Sequence, residues 1–266
     1  MFRRGESIQI KSPDQLAVMR QAGLVVALAL QAVSAAVRPG VSTRELDAIA
    51  RECIASNGAT SSFLGYHGFP AVICTSVNDE VVHGIPGDRV LVAGDLISID
   101  CGAIVDGWHG DAAVSVPVGA VADSVLALSA ATQASLWAGL RQARAGNRLS
   151  DIGHAVELSL TAAGDYGIVE DYTGHGIGTS MHMHPPIPNY GKPGKGPVLK
   201  VGMALAIEPM ATLGAADVAV LSDGWTVVAM SGAPAAHWEH TVAITEAGPW
   251  VLTALDDVRL GPEESE

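Results

Sequence analysis

Basic residues are scarce in this chain. Fifteen Lys and Arg stand against 28 Asp and Glu, a formal net charge of −13, so no basic surplus exists to neutralise phosphates and a general nucleic-acid binder is excluded. Cysteine is scarce too. Cys53, Cys74 and Cys101 cannot all pair and show no metal-finger spacing, which points to a reduced, cytoplasmic protein. The opening Met-Phe-Arg-Arg-Gly-Glu lacks the apolar run of a secretory signal. The best apolar run, Ala22 to Val37, is short for a membrane span and broken by polar positions, so it reads as a buried helix. Charge of either sign is low, 16% of residues against 48% hydrophobic. That excludes disorder and leaves a packed chain of 266 residues with room for a sizeable core.

What is present is a pattern that occurs twice. Gly94-Asp-Leu-Ile-Ser-Ile-Asp100 and Gly202-Met-Ala-Leu-Ala-Ile-Glu208 share an apolar lead-in that ends on a carboxylate. After each, a second acidic residue opens another strand-like run, Asp111-Ala-Ala-Val-Ser-Val and Glu239-His-Thr-Val-Ala-Ile. Before each comes a His-Gly-Ile triplet, at His83 and His175. The helix signals repeat in step. Ser12-Pro13-Asp14 starts a helix that Pro39-Gly40 closes, and the capping box Ser42-Thr-Arg-Glu45 opens another ending near Asn57-Gly58. Strands follow from Ala71 to Val118; then come helices over Ala120–Ala143 and from about Ser150 to Gly164, and strands again from Asp171 to Thr253. The expected organisation is an N-terminal segment 1–11, one pseudo-symmetric domain 12–255 with halves at about 12–118 and 120–255, and a polar, frayed tail 256–266. The Pro/Gly-rich stretch Pro185–Pro197 reads as a surface loop.

The carboxylates carry the chemistry. Asp106-Gly107 is a two-residue hairpin signal, which sets Val105 opposite Trp108 and Asp100 opposite Ala113. Asp100 and Asp111 then share one sheet face, diagonally across the ladder at roughly 7–8 Å. Two ionised carboxylates on a largely apolar face require either a proton or a cation between them. Repeating the arrangement with Glu208 and Glu239 gives four carboxylates in one cleft, which fits two divalent cations. His175, between glycines, adds a nitrogen ligand, a set suited to Mn, Fe, Co or Zn. Two such ions activate a water and stabilise an oxyanion, so the implied chemistry is metal-assisted hydrolysis. Taken singly, Asp95, Asp106 and Asp123 read as turn residues, and Glu80, Asp223 and Glu246 as solvated.

The words Leu64-Gly-Tyr-His-Gly-Phe-Pro70, Val82-His-Gly-Ile-Pro86, Ser98-Ile-Asp-Cys-Gly102, Gly174-His-Gly-Ile-Gly178, Ile207-Glu-Pro-Met210 and Trp238-Glu-His-Thr241 occur together and in order. With them the chain resembles the type I methionine aminopeptidases, of the pita-bread metallopeptidases, over about Lys11 to Leu255. The resemblance implies an α+β pita-bread fold, a pseudo-two-fold antiparallel sheet with helices on its outer face. It implies two divalent metal ions (Co, Mn, Fe or Zn) held by Asp100, Asp111, His175, Glu208 and Glu239. The implied reaction removes the N-terminal methionine from nascent proteins and peptides, preferring a small second residue. A metal-bridging hydroxide attacks, Glu208 shuttles the proton, His182 binds the scissile carbonyl and His83 contacts the amide of the second residue.

Tyr66, Phe69, Cys74, Met181 and Trp225 match the family's methionine pocket, a soft slot suited to a thioether. Phe63 stands where family members carry a cysteine, and Met181 where phenylalanine is frequent. The remaining histidines, His67, His109, His154, His184, His237 and His240, read as ordinary core or surface residues. The expected partners are nascent polypeptide N-termini, met transiently near the ribosome by a cytoplasmic monomer, with no nucleic acid and no membrane. Rival readings are a proline-directed peptidase, which usually carries an additional N-terminal domain, a non-catalytic binding module, which loses metal ligands, and a calcium-stabilised domain, which gives no reason for His83, His175 and His182.

Overall fold

A computed structural model describes residues 7–261. Its first half runs α1 (Pro13–Ala36), α2 (Thr43–Ser56), β1 (Thr60–Ser61), β2 (Ile73–Val77), β3 (Glu80–Val82), β4 (Leu96–Val105) and β5 (Trp108–Pro117). Its second half opens with α3 (Asp123–Gln142), α4 (Leu149–Ala163), β6 (Gly167–Ile168), β7 (Gly174–Gly176), β8 (Met183–Ile187) and β9 (Ala204–Ile207). It closes with β10 (Met210–Thr212), β11 (Val218–Val220), β12 (Val227–Ala229), β13 (Ala235–His237), β14 (Glu239–Thr245) and β15 (Gly248–Val251). The order helix–helix–strands occurs twice, as the motif repeat implies.

Both helix starts read from sequence are capping boxes. Ser12 and Gln15 satisfy each other's backbone N–H groups at the head of α1, and Ser42 and Glu45 do so at α2. Neither α3 nor α4 has a side chain of the Ser/Thr kind at its cap; the backbone N–H of Arg148 is instead taken by Asp151 at 2.7 Å. By length and composition α1 could cross a membrane, but ten of its residues, Leu16 to Val33, are buried inside the fold. It is a core helix.

One nine-stranded antiparallel sheet runs β1-β4-β5-β14-β9-β7-β8, with β2 also on β4 and β15 also on β14. The halves join where β5 pairs with β14. Strand alternation divides the two faces of the sheet. On β4, Ile97, Ile99, Cys101 and Ala103 turn toward Val26, Leu30, Leu46 and Ile54 of α1 and α2. On β9 and β14, Leu205, Ile207, Val242 and Ile244 turn toward Leu136, Leu140 and Ile152 of α3 and α4. All four helices thus cover one face, and the other is left for the acidic residues. The fold is the α+β pita-bread arrangement expected from the sequence.

Close contact at the helix face depends on glycine. A Cβ on Gly110 of β5 would lie 2.8 Å from the Gly23 nitrogen of α1, and one on Gly23 would lie 2.1 Å from the Leu252 carbonyl oxygen. The helix therefore seats directly on backbone.

Three local readings change. Pro185–Ile187 belongs to β8, with Pro185 and Ile187 buried, so the surface loop begins only beyond that strand. Glu80 is not simply solvated: it accepts the Val77 N–H at 2.7 Å and pairs with Arg89 at 2.8 Å. The first part of the expected tail folds back, with Leu260 N–H on the Pro249 carbonyl at 2.9 Å and Val258 against the second-half core. Its last residues, 262–266, lie outside the described residues, as do 1–6 of the N-terminal segment.

Candidate metal centre and substrate pocket

The hairpin forms as its Asp106-Gly107 turn demands, with φ of 48° and 79° at the two residues. Val105 faces Trp108 and Asp100 faces Ala113. Ala113 in turn faces Glu239 across the seam, and Cys74 faces Asp100 from the other side. Since His240 pairs with Ile207, Glu208 stands just past β9 at the level of Glu239. Asp100, Glu239 and Glu208 therefore lie on one row across four strands. Asp111 sits two residues along β5 from that row. His175 pairs with Ala206, two residues before Glu208. Period-two alternation aims all five side chains at the face the helices leave open.

The side-chain atoms able to hold a metal converge. Those of Asp111, His175 and Glu239 lie within 4.8 Å of one another, as do those of Glu208, His237 and Glu239. Asp100 joins from the neighbouring strand, its carboxyl group beside that of Asp111. His175 Nε2 is 3.4 Å from Glu208 Oε1, and His237 Nε2 is 3.7 Å from Oε2. Thr241 braces the seam, accepting the Asp111 N–H at 3.0 Å and donating to the Asp111 carbonyl at 2.8 Å.

Electrostatics explains what this cluster needs. Burial pushes Asp100 up to about 7 and holds Asp111, Glu208 and Glu239 well above the ordinary carboxylate range, with the neighbouring carboxylates adding to the last three. Burial lowers His175 to about 4 and His182 to about 3, so both rings are neutral and able to offer a lone pair or an N–H. Asp100 Oδ1, Asp111 Oδ1 and Glu239 Oε1 are buried without a hydrogen-bond partner. Buried carboxylate oxygens without partners are costly, and cations satisfy them. The donor set of four carboxylates and one imidazole fits divalent ions of the Mn, Fe, Co or Zn kind.

A cavity opens beside the cluster. Of the residues expected from sequence, Tyr66, Phe69, Cys74, His83, Asp100, Asp111, His175, His182, Glu208, Trp225 and Glu239 line it, and Phe63 joins them. Met181 does not line it; it packs behind the wall with Phe63, Phe69 and Cys74. Phe69 and Trp225 meet edge to face at 5.0 Å. Trp225 is set by the turn between β11 and β12, where Asp223 accepts the N–H groups of Trp225 and Thr226 at 2.8 and 2.9 Å. His83 enters the cavity at φ 61°, a left-handed conformation uncommon for a histidine. Gly84 makes that turn workable, because a Cβ there would lie 2.2 Å from the Thr75 carbonyl oxygen. Tyr66 Oη is 2.8 Å from His182 Nδ1, which leaves Nε2 to serve the cavity.

His237 reads from sequence as an ordinary core histidine, yet it is buried against Glu208. Its position two residues before Glu239 on a strand-like run was the available signal, since residues i and i+2 share a face.

Residues 17–246 match the sequence model of metallopeptidase family M24. The chain belongs to metallopeptidase family M24. It is 55% identical to methionine aminopeptidase 1 of Mycobacterium tuberculosis (strain CDC 1551 / Oshkosh), over 91% of this chain and 94% of that one. It is 50% identical to methionine aminopeptidase 1 of Bacillus subtilis, over 92% and 98%. Among solved structures it superposes on a methionine aminopeptidase from Thermotoga maritima with a TM-score of 0.91 at 40% identity, covering 93% of this chain and all of that one. A prolidase from Pyrococcus furiosus gives 0.75 at 23% identity, with the chain covering 66% of it, and shows the fold alone. Within family M24 the chain stands with the type I methionine aminopeptidases and is a metal-dependent aminopeptidase.

Proposed function

We propose that the chain removes the N-terminal methionine from nascent proteins and peptides, with two divalent ions held by Asp100, Asp111, His175, Glu208 and Glu239. The observation that carries this reading is the set of buried, partnerless carboxylate oxygens of Asp100, Asp111 and Glu239 at the foot of an aromatic, sulfur-bearing cavity. When bound, the ions supply Lewis acidity and generate a nucleophile from water at neutral pH. The protein's own groups do the rest. Phe69, Trp225, Tyr66 and Cys74 take up the unbranched thioether and exclude water around it. His182, its Nδ1 engaged by Tyr66, donates from Nε2 to the scissile carbonyl oxygen as negative charge develops there. His83, neutral because burial lowers it to about 4, holds the backbone amide of the second residue. Glu208 takes the proton from the attacking water and delivers it to the leaving amine.

A preference for a small second residue follows from the family resemblance. The same reading has the protein acting as a cytoplasmic monomer that meets nascent chains transiently near the ribosome, without binding nucleic acid or membrane. The test is release of free methionine from Met-Gly-Met-Met-type and proline-containing peptides, comparing metal-stripped protein with protein reloaded with Co, Mn, Fe or Zn. Methionine release restored by metal is the expected result. Release of a different N-terminal residue, or silence of a folded protein with every metal, overturns it.

A further inference from the structure

His237 has no part in the reaction as described, and it does not line the cavity. The residue is 1% exposed, and its Nε2 has no hydrogen-bond partner. An unpaired buried ring nitrogen is costly, so a fold that places one invites a reason. The backbone around it is fixed unusually well. Its N–H lies within reach of Ser98 Oγ at 3.2 Å and Ser115 Oγ at 3.0 Å, and its carbonyl accepts from Ser115 Oγ at 2.9 Å. Those serines belong to β4 and β5, so the first half of the molecule holds this residue of the second half in place.

What the clamp presents is one nitrogen to one oxygen. Glu208 lies between two imidazoles, with His175 Nε2 on the Oε1 side at 3.4 Å and His237 Nε2 on the Oε2 side at 3.7 Å. His175 lines the cavity and His237 stands behind it. We infer that His237 is a positioning residue for Glu208: its Nε2–H holds Oε2 from behind, so that the carboxylate cannot rotate and Oε1 alone is turned to the reaction. The 3.7 Å contact closes to hydrogen-bond length with a shift of about 0.5 Å. A neutral imidazole carries a single ring proton, and placing it on Nε2 gives that nitrogen its partner and Glu208 one fixed orientation. The inference rests on the proton-transfer role proposed for Glu208.

The experiment compares the wild type with His237→Leu, His237→Met and His237→Gln, each checked for folding by near-UV circular dichroism. Leucine and methionine fill the space without a donor, whereas glutamine restores an N–H. With protein that releases methionine, the apolar variants should lose about 10–100-fold in kcat while the glutamine variant recovers most of the loss. Their KM should stay within about threefold, because the cavity wall is untouched. Titration of metal-stripped protein with Mn(II) in a calorimeter should show affinity lowered about 10-fold in the apolar variants and restored by glutamine. Folded apolar variants with wild-type kcat and Mn(II) affinity overturn the inference. So does a glutamine variant as impaired as they are and binding one ion fewer, which would make His237 a ligand in its own right beside Glu208 and Glu239. If the wild type itself releases no methionine, the functional reading fails, and the Mn(II) titration still decides whether His237 governs Glu208.

Discussion

The two halves of the molecule begin alike and end differently. Each presents an apolar strand that closes on a carboxylate and a second strand that opens with another. In the first half a two-residue turn joins those strands, so Asp100 and Asp111 fall on one continuous hairpin and share its open face. In the second half the chain leaves after Glu208 and returns at Glu239 by way of β10 to β13. The excursion delivers Trp225 to the cavity and His237 to the back of Glu208. A tight turn fixes register and can add nothing; a long connection costs only slowly increasing closure entropy and can carry side chains to the site. On the proposed mechanism the first pair holds charge, and Glu208 of the second moves a proton. The repeat supplies the frame, and the departure from it supplies the chemistry.

The largest test of that difference sets Glu208→Gln against Asp111→Asn. On the proposed mechanism Glu208→Gln removes the proton carrier, and kcat should fall by about 10²–10⁴-fold or to nothing measurable. Turnover near the wild-type level would remove Glu208 from that role. Asp111→Asn should act on metal first, and elemental analysis with calorimetry should report weaker or substoichiometric loading, with affinity down by at least about tenfold. Unchanged stoichiometry and affinity would take Asp111 out of the ligand set and leave the two halves less distinct than they look.

The symmetric part was the legible part. Capping boxes at Ser12 and Ser42, the Asp106-Gly107 turn and the two carboxylate lead-ins are local signals, and the register that follows from one turn is enough to set Asp100 opposite Ala113. The asymmetric part was not legible by the same means. His237 lies two residues from Glu239, but its partner Glu208 is 29 positions away, and the pairings of β9 with β14 and β10 with β13 bring them together. Met181 matched a pocket position by its place in a motif, yet whether a side chain lines a cavity or stands behind its wall depends on packing against Phe63 and Phe69. Pro185 to Ile187 carries the composition of a loop but completes an edge strand of the sheet, where proline is tolerated. Local chemistry reads from sequence; juxtaposition across an excursion does not.

Protonation offers the next test. In the metal-stripped protein the folded-state values of Asp100, Asp111, Glu208 and Glu239 are raised, so each contributes stability at low pH that is lost as pH rises toward its folded value. Buried His83, His175, His182, His237 and His240 are lowered and act oppositely, but only below the ordinary histidine value near 6.5. Above pH 6.5 the carboxylates act alone until Lys11, which burial lowers to about 8, starts to lose its proton in the folded state and adds stability as pH rises. Stripped protein should therefore lose stability between pH 6.5 and about 7.5, by about 1.4 kcal/mol per pH unit for each carboxyl still protonated, seen as a falling Tm. Metal-loaded protein should lack that fall. A flat profile in stripped protein would mean that water already screens the cluster.

The smallest effect belongs to the seam itself. Thr241 gives and takes a hydrogen bond with the backbone of Asp111, and it is the side chain through which β14 of one half grips β5 of the other beside the site. Thr241→Val keeps the β-branched shape and removes only the hydroxyl, leaving a buried N–H and a buried carbonyl each short of a partner. The cost should be about 1–3 kcal/mol, measured by denaturant unfolding as a shift in midpoint without a change in m. If the seam merely joins two self-sufficient halves, Mn(II) affinity should hardly move in this variant. If the row of carboxylates depends on the seam for its alignment, Asp111 should be displaced relative to Glu239 and affinity should drop with stability. The second outcome is expected, because the candidate metal-holding atoms of Asp111, His175 and Glu239 come from three strands and the seam sets the first against the last.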